Sequence, residues 1–436
     1  MDNIREVYSQ GLCVGCGTCE SACQTSAIQI VKDERKGIYA PQLNNELCNQ
    51  CGLCLDVCPG LSVDFNELNS KIFGKEPEDV WLGNHIGLYV GHASDAGIRR
   101  KSSSGGLVTA LLLFALEQGI IDGAVVARMR QDNPLEPEVI LARTREELIA
   151  ARGSKYCPVP TNVRLRDIID EKGKFAVVGL PCHIHGSRKY ELLDKEVIGK
   201  RLIYLGLMCS SNATFLGTEY FLKKHGINKS DIERLDYRGE GWLQDYNMVV
   251  YLKNGDKRVI PRKGTLFDSS FHRDFAVPRC LLCCDQTCEF ADISLGDPRL
   301  PDLVGDKLGK SLIITRTPGG EEILQKASSG GAIELTERIS VQRFFQGQKI
   351  SFKRGVNARL TLLKAAGKSV PRYRTQRINQ SRSFMDYAGY LYYLPSYYTN
   401  KRYLWPLIYP GSVIRGYFQM GIAKLAALKR RIINFR

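Results

Sequence analysis

Residues 102–127 read SSSGGLVTALLLFALEQGIIDGAVVA, and this stretch decides the fold class. Three serines and two glycines lead into the apolar run LVTALLLFAL, which is typical of a buried helix that begins at a polar cap. The segment DGAVVARM that follows is typical of a strand. A helix and a strand in direct succession predict a unit in which helices cover a sheet.

The segments on either side continue this alternation. Five further apolar runs are predicted to be strands: IGLYVGHA at 86–93, KFAVVGL at 174–180, RLIYLGLMC at 201–209, ADISLGD at 291–297 and KSLIITRT at 310–317. The segment at 247–262, NMVVYLKNGDKRVIPR, is predicted to be a hairpin in which Asn254-Gly255 supplies a primed turn. These patterns predict a mixed α/β body with a largely covered sheet.

The composition is that of a globular chain. Its 436 residues are 44% hydrophobic and 25% charged, and at roughly 100–200 residues per domain they predict two to four domains. The start, MDNIREVYSQ, lacks the apolar core of a secretory signal, and Glu117 and Gln118 stop LVTALLLFAL before the ~18 residues of a membrane span. We therefore expect a cytoplasmic protein, in which 15 cysteines favour metal binding or catalysis over disulfides.

The positive charge is concentrated at the C-terminus. The chain carries a net charge of +15, but residues 351–436 hold seventeen of its 61 Lys+Arg and a single acid, Asp386. Ten of the 20 tyrosines also lie there. Basic residues mixed with aromatic ones suit peripheral binding of the protein to an anionic membrane surface, or binding to an acidic partner protein. Nucleic acid is a disfavoured rival, and ordinary packing on the body is the third alternative.

Eight N-terminal cysteines form two runs of the same spacing. They are Cys13, Cys16, Cys19 and Cys23, then Cys48, Cys51, Cys54 and Cys58, the second run being followed by Pro59. Thiolates spaced in this way bind [4Fe–4S] clusters, with the fourth cysteine of each run reaching the other cluster. Cluster one is therefore assigned Cys13, Cys16, Cys19 and Cys58, and cluster two Cys48, Cys51, Cys54 and Cys23. Gly15, Gly17 and Gly52 are expected to take positive φ around the clusters.

Zinc and disulfides are the alternatives for these eight residues. Zinc favours two pairs of ligands over four cysteines in eleven residues, twice over. The region resembles the bacterial-type two-cluster ferredoxin, which works as an electron wire and implies no substrate chemistry.

A later group, CLLCCDQTC at 280–288, has a different spacing and cannot form such a site alone. A third cluster, a zinc site, a redox disulfide and buried thiols are all alternatives for it. Cys182 and Cys209 each follow a predicted strand, and strand ends that are neighbours converge. With Cys280 and Cys283 they make four thiolates, which is the preferred third [4Fe–4S] set. Cys284 and Cys288 are possible substitutes, and Cys157 is spare.

Several motifs occur in a fixed order across the body. They are SSSGGLVTALLLFALEQGIIDGAVVA, RGSKYCPVP, GLPCHIHG, LGLMC, YRGEGW and CLLCCDQTCEFADISLGD. In this order they resemble the beta-subunit family of the coenzyme F420 hydrogenases and dehydrogenases, over roughly residues 84–345. The resemblance implies a mixed α/β body that binds FAD and an iron–sulfur cluster, and that exchanges hydride with a substrate. It also supports the third cluster near the flavin.

The resemblance also implies cofactor residues. Ser103, Ser104, Gly105 and Gly106 match the serine–glycine turn and are expected to touch the flavin. On the residues alone, the helix start with its nearby basic residues fits a phosphate, and a plain capped core helix is the alternative. Lys155 and Tyr156 match the GSKY stretch and are expected to line the flavin or substrate pocket, with core packing as the alternative for Tyr156.

Four side chains near these motifs have a purely structural role as the alternative to a functional one. His183 and His185 flank Cys182, where they are interpreted as proton relays or as satisfied core histidines. Arg238 in YRGEGW, like Trp242, is equally explained by loop packing. No catalytic residue is identified.

The predicted architecture is a small N-terminal ferredoxin-like α+β domain followed by a larger mixed α/β flavin-binding body. The predicted boundaries are 1–65 for the two-cluster domain, 66–165 and 166–345 for the two parts of the body, and 346–436 for the basic aromatic tail.

The predicted function is an iron–sulfur flavoprotein oxidoreductase that passes electrons between its clusters and a hydride-exchanging organic substrate or coenzyme F420 through FAD. A role in polysaccharide or other biosynthetic reduction is one option. The alternative is an electron-transfer subunit without its own substrate. Both need an electron donor or acceptor protein as partner.

Overall fold

The structure is a computed structural model. It describes residues 3–169, 171–193, 202–240, 246–262, 271–303, 305–348, 350–379, 386–387 and 394–407. Of the predicted basic tail, the structure therefore covers its first part and two short pieces. Trp242 lies outside the described residues.

Fifteen strands are present in the described residues. In chain order they are β1 Ile28–Asp33, β2 Ile38–Leu43, β3 Ser62–Asp64, β4 Gly87–Ala93, β5 Gly123–Met129, β6 Pro137–Ala142, β7 Phe175–Gly179, β8 Leu202–Leu207, β9 Ile232–Glu240, β10 Asn247–Leu252, β11 Lys257–Pro261, β12 Ile293–Gly296, β13 Ser311–Thr315, β14 Ile333–Arg338 and β15 Arg372–Arg374.

The α-helices of the described residues number fifteen. They are α1 Ile4–Ser9, α2 Thr18–Ser21, α3 Leu53–Asp56, α4 Phe65–Phe73, α5 Ala96–Arg100, α6 Leu107–Glu117, α7 Arg145–Ala150, α8 Leu165–Ile169, α9 Pro181–Leu193, α10 Phe215–Lys224, α11 Phe271–Asp274, α12 Pro318–Ser329, α13 Val341–Gly347, α14 Ser351–Arg354 and α15 Val356–Ala365. No helix within these ranges is both long and apolar enough to cross a bilayer.

An eight-stranded mixed sheet organises the body. Its strand order is β14-β4-β13-β12-β8-β7-β5-β6, with β5, β7, β8 and β12 parallel to their neighbours in the centre and antiparallel strands at both sides. All six strands predicted in the body are members of it. Their short apolar runs are explained by burial on both faces.

Alternate side chains of the sheet enter two different cores. Ala124 and Ala176 pack with α6 and α12 on one face. Val125 and Val177 pack on the other face with Phe65 from α4 and with residues of α15. The predicted covered sheet is thus confirmed, and one of its layers is built partly from the N-terminal region and partly from the C-terminal segment.

The predicted hairpin is also confirmed, but its turn is not a primed one. β10 and β11 pair antiparallel, and Gly255 takes φ 86° while Asn254 has no positive φ. A type I′ turn needs positive φ at both central residues. Instead the Gly255 amide donates to the Leu252 carbonyl at 2.9 Å, so the turn fits the common three-residue loop that ends in a left-handed glycine.

The N-terminal region is docked closely on the body. The Asn162 amide donates to the Cys16 carbonyl at 2.9 Å, and the Ser21 hydroxyl donates to the Asn162 carbonyl at 2.6 Å. At Gly17 a Cβ would lie 2.6 Å from Val163 Cγ1. These contacts leave no room for a side chain at position 17, so the two regions are packed directly against each other there.

The first part of the predicted tail is integral to the fold. β15 pairs in parallel with β3 of the N-terminal region, and Val356 and Leu360 are buried in the sheet's second core. Farther on, Trp405 packs against Tyr220 at 5.5 Å between ring centroids. The boundary predicted at residue 346 therefore does not mark the end of the packed protein. The membrane or partner surface predicted for the tail otherwise falls mostly outside the described residues.

Candidate iron–sulfur and cofactor sites

The thiols assigned to cluster one lie together. Burial raises the pKa of Cys19, and the nearby Cys16, Cys13 and Cys58 raise it further. Burial likewise raises the pKa of Cys16, to about 11. Buried thiolates crowded in this way require a positive counter-charge, and the iron ions of a cluster supply one.

The thiols assigned to cluster two form a separate and more exposed group. Burial raises the pKa of Cys54, and the neighbouring Cys51, Cys48 and Cys23 contribute to the rise. Cys51 is exposed, whereas Cys58 and Cys16 in the first group are buried. Cluster two is therefore the outer candidate and cluster one the inner.

The backbone around both groups has the expected conformation. Gly15, Gly17 and Gly52 take φ of 69°, 90° and 80°. Amide hydrogens already point at sulfur, since the Gly15 amide donates to Cys13 Sγ at 3.3 Å and the Ala27 amide to Cys23 Sγ at 3.2 Å. Such N–H groups stabilise negative charge on cluster thiolates.

The late cysteines meet Cys182 and Cys209 in a single cavity. Cys182, Cys209, Cys280 and Cys283 all line it. Val14 and Pro59, which flank ligands of cluster one, line the same cavity. Burial raises the pKa of Cys182, and Cys280, Cys16 and Cys209 then raise it further. The four thiols of the preferred third set are thus the four that share one space.

Sheet topology brings these thiols together. β7 and β8 are parallel neighbours, so the residues after their carboxyl ends emerge at one edge. Cys182 is the second residue of α9 and follows β7 by three residues, and Cys209 follows β8 by two residues. Cys280 lies in a 3₁₀ helix, Pro278–Leu282, that leads to the same edge. The convergence of strand ends predicted from the sequence accounts for half of the set.

The remaining cysteines belong to the core. Cys284 and Cys288 are buried in the sheet's second core, and a Cβ at Gly206 would lie 2.5 Å from Cys288 Sγ. Cys157 is buried in a separate core formed around α10 and the β9–β11 sheet. No three Cys, His, Asp or Glu side chains among the described residues have the geometry of a single-ion site.

Asp285 holds the late cysteine loop in shape. Its carboxylate accepts hydrogen bonds from the amides of Thr287, Cys288 and Glu289 at 2.9–3.0 Å. The bond to Cys288 fits the left-handed φ of 58° at that residue. Burial alone would raise the pKa of Asp285, but its hydrogen bond to His185 holds that pKa well below its usual range. The sequence alone does not indicate this role, since nothing around Asp285 distinguishes it from a surface acid.

Both histidines beside Cys182 are buried and partnered. His185 Nε2 lies 2.9 Å from Asp285 Oδ2. His183 Nδ1 accepts from the Leu180 amide at 3.1 Å, and burial lowers the pKa of His183 to about 4. The contacts describe satisfied histidines that shape the cavity wall.

Two basic residues at the cavity were not predicted. Lys353 and Arg279 both line it, with Lys353 only 1% exposed. Arg279 donates to the Gly60 carbonyl at 3.0 Å and to the Tyr373 hydroxyl at 2.8 Å. Both cations oppose the burial-induced rise in the pKa of Cys280. A positive wall of this kind suits a cluster that carries a net negative charge through its four thiolates.

The serine–glycine turn forms the start of α6. Gly106 takes φ 78° at the helix cap, and no side chain caps the first-turn amides. A Cβ at Gly105 would lie 2.7 Å from the Ser311 amide nitrogen, so glycine is required there for close packing. The Ser103 hydroxyl accepts from the Ser154 amide at 2.6 Å and keeps its hydrogen to donate. Uncapped amides beside a free hydroxyl hydrogen fit a phosphate group.

Other polar groups near the turn are committed to the protein. The Ser104 hydroxyl donates to the Lys310 carbonyl at 2.7 Å, and Arg99 pairs with Asp306 at 2.6 Å. Lys155 Nζ donates to the Arg152 and Gly153 carbonyls at 3.1 and 3.0 Å. Burial lowers the pKa of Lys155 to about 8. Arg99 and Lys155 therefore have less charge and fewer donors to offer a phosphate than the sequence indicated.

Comparison with known proteins assigns the two regions. Residues 12–60 match the 4Fe-4S dicluster domain. Residues 88–166 and 172–340 match the N-terminal and C-terminal parts of the coenzyme F420 hydrogenase/dehydrogenase beta subunit, which together cover more than half of the chain. This chain belongs to the coenzyme F420 hydrogenase/dehydrogenase beta-subunit family. The predicted family and the predicted N-terminal iron–sulfur domain are both confirmed.

Individual relatives in the F420 hydrogenase/dehydrogenase family differ in length. The coenzyme F420 hydrogenase subunit beta of Methanosarcina barkeri is 32% identical over 265 residues, which is 59% of this chain and 84% of the relative. A subunit of the F(420)H(2) dehydrogenase of Methanosarcina mazei is 28% identical, and the match covers 81% of this chain and 93% of the relative. The coenzyme F420-dependent sulfite reductase of Methanocaldococcus jannaschii is 30% identical over 80% of this chain, which spans half of that protein.

A solved structure confirms the mixed α/β fold. The F420-reducing [NiFe] hydrogenase complex from Methanosarcina barkeri contains a chain that matches with a TM-score of 0.51 and 27% identity. The match covers 66% of this chain and 96% of that one. The chain is thus an iron–sulfur member of a family of oxidoreductase subunits, with residues beyond the part that this relative shares.

Proposed function

We propose that this chain is an iron–sulfur flavoprotein that passes electrons between a ferredoxin-type cluster pair and a hydride-exchanging organic substrate. Three [4Fe–4S] clusters and one FAD are its proposed cofactors. The proposed ligands of the third cluster are Cys182, Cys209, Cys280 and Cys283. The N-terminal ligands are the eight cysteines of the matched dicluster domain.

The shared cavity carries this proposal. It is lined by the four thiols of the third set and also by Val14 and Pro59 from the cluster-one region. Cys16 is close enough to Cys182 to raise its pKa. Electron transfer between centres falls off steeply with distance, so adjoining sites suit a relay. Cluster two, the outer candidate with the exposed Cys51, then serves as the end that exchanges electrons with a partner protein.

The flavin site is proposed at the start of α6. Its uncapped amides and the hydroxyl of Ser103 would hold a phosphate, and Gly105 and Gly106 allow close approach of the backbone. Tyr156, whose ring lies 4.5 Å from that of His272, would line the adjoining pocket. FAD, when bound, supplies the exchange between one-electron carriers and a two-electron hydride.

Coenzyme F420 is the first substrate to test. The family and the named relatives carry it in their names. Reduction of another organic substrate, in polysaccharide or other biosynthesis, is the broader proposal that the same cofactors would serve.

Anaerobic purification tests the cofactors. We expect about twelve irons per chain, against about eight for two clusters, and a flavin absorption band with FAD released on denaturation. A preparation with eight irons would reject the third cluster. A preparation without flavin would reject the proposed flavin-dependent activity. Reduction of coenzyme F420 by the dithionite-reduced protein then tests the substrate.

The second candidate is an electron-transfer subunit without a substrate of its own. The relatives' names favour it, since two of the three named above are described as subunits. Single-turnover mixing separates the two functions. A purified chain that holds flavin but oxidises no F420H₂ without an added partner would support the second candidate.

A further inference from the structure

A cluster of aromatic and basic side chains lies on the body, and none of its members lines the thiol cavity. Tyr156, Arg238, Tyr246, Arg262 and His272 form it, and we call it the Arg238 cluster. The Arg238 guanidinium lies over the Tyr246 ring at 4.5 Å from the centroid, and that of Arg262 lies over the same ring at 4.9 Å. The rings of Tyr156 and His272 meet edge to face at 4.5 Å. Four separate segments of the chain thus meet here.

Arg238 is buried with donors to spare. Its side chain is only 5% exposed, and Nη1 donates to Asp297 Oδ2 at 3.1 Å. Nε and Nη2 are buried and have no hydrogen-bond partner in the structure's described part. A buried donor without an acceptor is costly, and more so on a charged group. An acceptor from outside the chain would satisfy both spare donors of Arg238.

The two spare nitrogens have a specific geometry. Nε and Nη2 lie on one edge of the planar guanidinium, so their N–H bonds run parallel. This fork matches the two oxygens of a carboxylate or phosphate and binds them bidentately. Stacking on Tyr246 fixes the plane of the fork. The edge is therefore pre-organised for an oxyanion.

The surrounding charge favours an anion. Burial lowers the pKa of His272 to about 3, and Arg262, Arg299 and Arg238 lower it further, in that order. All three guanidinium groups are thus near one neutral imidazole. Aromatic walls beside this concentration of positive charge suit an anionic substituent on an organic ligand.

The Arg238 cluster adjoins the proposed flavin turn. Tyr156 is two residues from Ser154, whose amide donates to the Ser103 hydroxyl at 2.6 Å. The GSKY loop therefore touches the turn at one end and the cluster at the other. A ligand in the cluster lies beside the part of the body assigned to hydride exchange.

We propose that the Nε–Nη2 edge of Arg238 binds a phosphate or carboxylate group of the substrate. The edge thereby orients an anionic substrate against the aromatic wall of Tyr156 and Tyr246. The assignment to a substrate rests on the proposed function, whereas the oxyanion site rests on Arg238 itself. The substrate class is thus an organic anion, with its oxyanion separate from its reacting ring or carbon.

Calorimetric titration with inorganic phosphate tests the site. The full chain, purified anaerobically with its cofactors, is titrated at constant ionic strength against a potassium chloride control. We expect saturable binding that weakens at least ten-fold in Arg238→Gln, and less in Arg238→Lys, which keeps the charge and loses the fork. Arg234→Gln is the matched control, because Arg234 lies on the same strand, is 57% exposed and pairs with Asp236. It should bind phosphate like the wild type.

The possible results test the oxyanion site, the substrate class and the proposed function separately. Phosphate binding no stronger than the chloride control, or equal binding by Arg238→Gln, overturns the oxyanion site. A loss of FAD from Arg238→Gln at unchanged iron content assigns the edge to the cofactor's phosphate and overturns the substrate class. Arg238-dependent binding in a chain without flavin keeps the site while the proposed function fails. If Arg238→Gln does not fold, Arg262→Gln provides the same test, with weakened phosphate binding expected.

Discussion

The two sets of candidate cluster ligands are built in opposite ways. The N-terminal set places eight thiols within residues 13–58 at one repeated spacing, and positive-φ glycines wrap the chain around them. The late set draws Cys182, Cys209, Cys280 and Cys283 from three separate segments at one edge of the main sheet. The first site carries its geometry in a local motif, whereas the second exists only when the whole body is folded.

Removal of two late thiols is expected to have the largest effect. Cys280→Ser with Cys283→Ser should remove about four of twelve irons, because the third cluster then loses two of its four ligands, and leave the N-terminal pair, whose ligands all lie at residues 13–58. Iron and sulfide analysis measures the change. Cys284→Ser is the control, since Cys284 is adjacent but buried in the core; it should keep all of its iron. Equal iron in the double variant and the wild type would reject the ligand set.

The dependence of the late site on the global fold is tested at Arg377. This residue is 1% exposed and pairs with the buried Glu289 in the late loop. Arg377→Met leaves that carboxylate without its cation and should lower the free energy of unfolding by about 3–5 kcal/mol, measured by urea denaturation. Arg374→Met is the control: its pair with Asp64 is 76% exposed on the arginine side, so we expect about 0–1 kcal/mol. Similar losses for both would show that burial of the pair is not what matters.

Two glycines of the N-terminal set separate local conformation from docking. Gly17 and Gly52 both have left-handed φ, but a Cβ at Gly17 would meet Val163 at 2.6 Å, while one at Gly52 would meet nothing within 4 Å. Gly52→Ala should cost about 1–2 kcal/mol from φ alone, and Gly17→Ala about 1–3 kcal/mol more from overpacking. Thermal unfolding of both variants gives the difference. Equal losses of stability in the two variants would mean that the interface around Gly17 accommodates the added methyl group without strain.

The smallest effect is expected at the outer end of the described tail. Arg402 pairs with Glu219 at 2.9 Å, with 42% and 23% of the two side chains exposed. Arg402→Gln should change the free energy of unfolding by about 0–1 kcal/mol, and less at high salt. Urea denaturation at two salt concentrations checks it. A decrease in the free energy of unfolding as large as that of Arg377→Met would show that this exposed pair stabilises the fold as much as the buried one.

The sequence predicted the body's strands and the local cysteine motifs because both depend on short-range pattern. Period and apolar run length identify β4, β5, β7, β8, β12 and β13. Ligand spacing defines the dicluster domain. The convergence of Cys182 and Cys209 was predictable for a related reason, since residues that follow parallel neighbouring strands meet at one edge.

Residues that act across long sequence separations could not be predicted in the same way. Asp285 organises its loop by accepting three backbone amides, and its identity as a buried acid follows only from the packed structure. Lys353 lies in a segment whose charge indicated an exposed tail, yet its side chain lines the thiol cavity. Arg238 shows the same limit, because its spare donors are visible only once its neighbours are known. The primed turn at Asn254 failed because the same Asn-Gly pair also fits a loop with one left-handed residue.

The return of the C-terminal segment to the N-terminal region sets an order on biosynthesis. Lys353 and Tyr373 line the thiol cavity, and β15 pairs with β3. At about 5–20 residues per second on the ribosome, the eight N-terminal thiols are made roughly 15–60 s before residue 373. The dicluster domain is thus available to the cell's iron–sulfur assembly factors during translation. The thiol cavity is closed only after Lys353 and Tyr373 have been synthesised, so a chain that terminates before them has the cysteines of the dicluster domain but not the complete cavity.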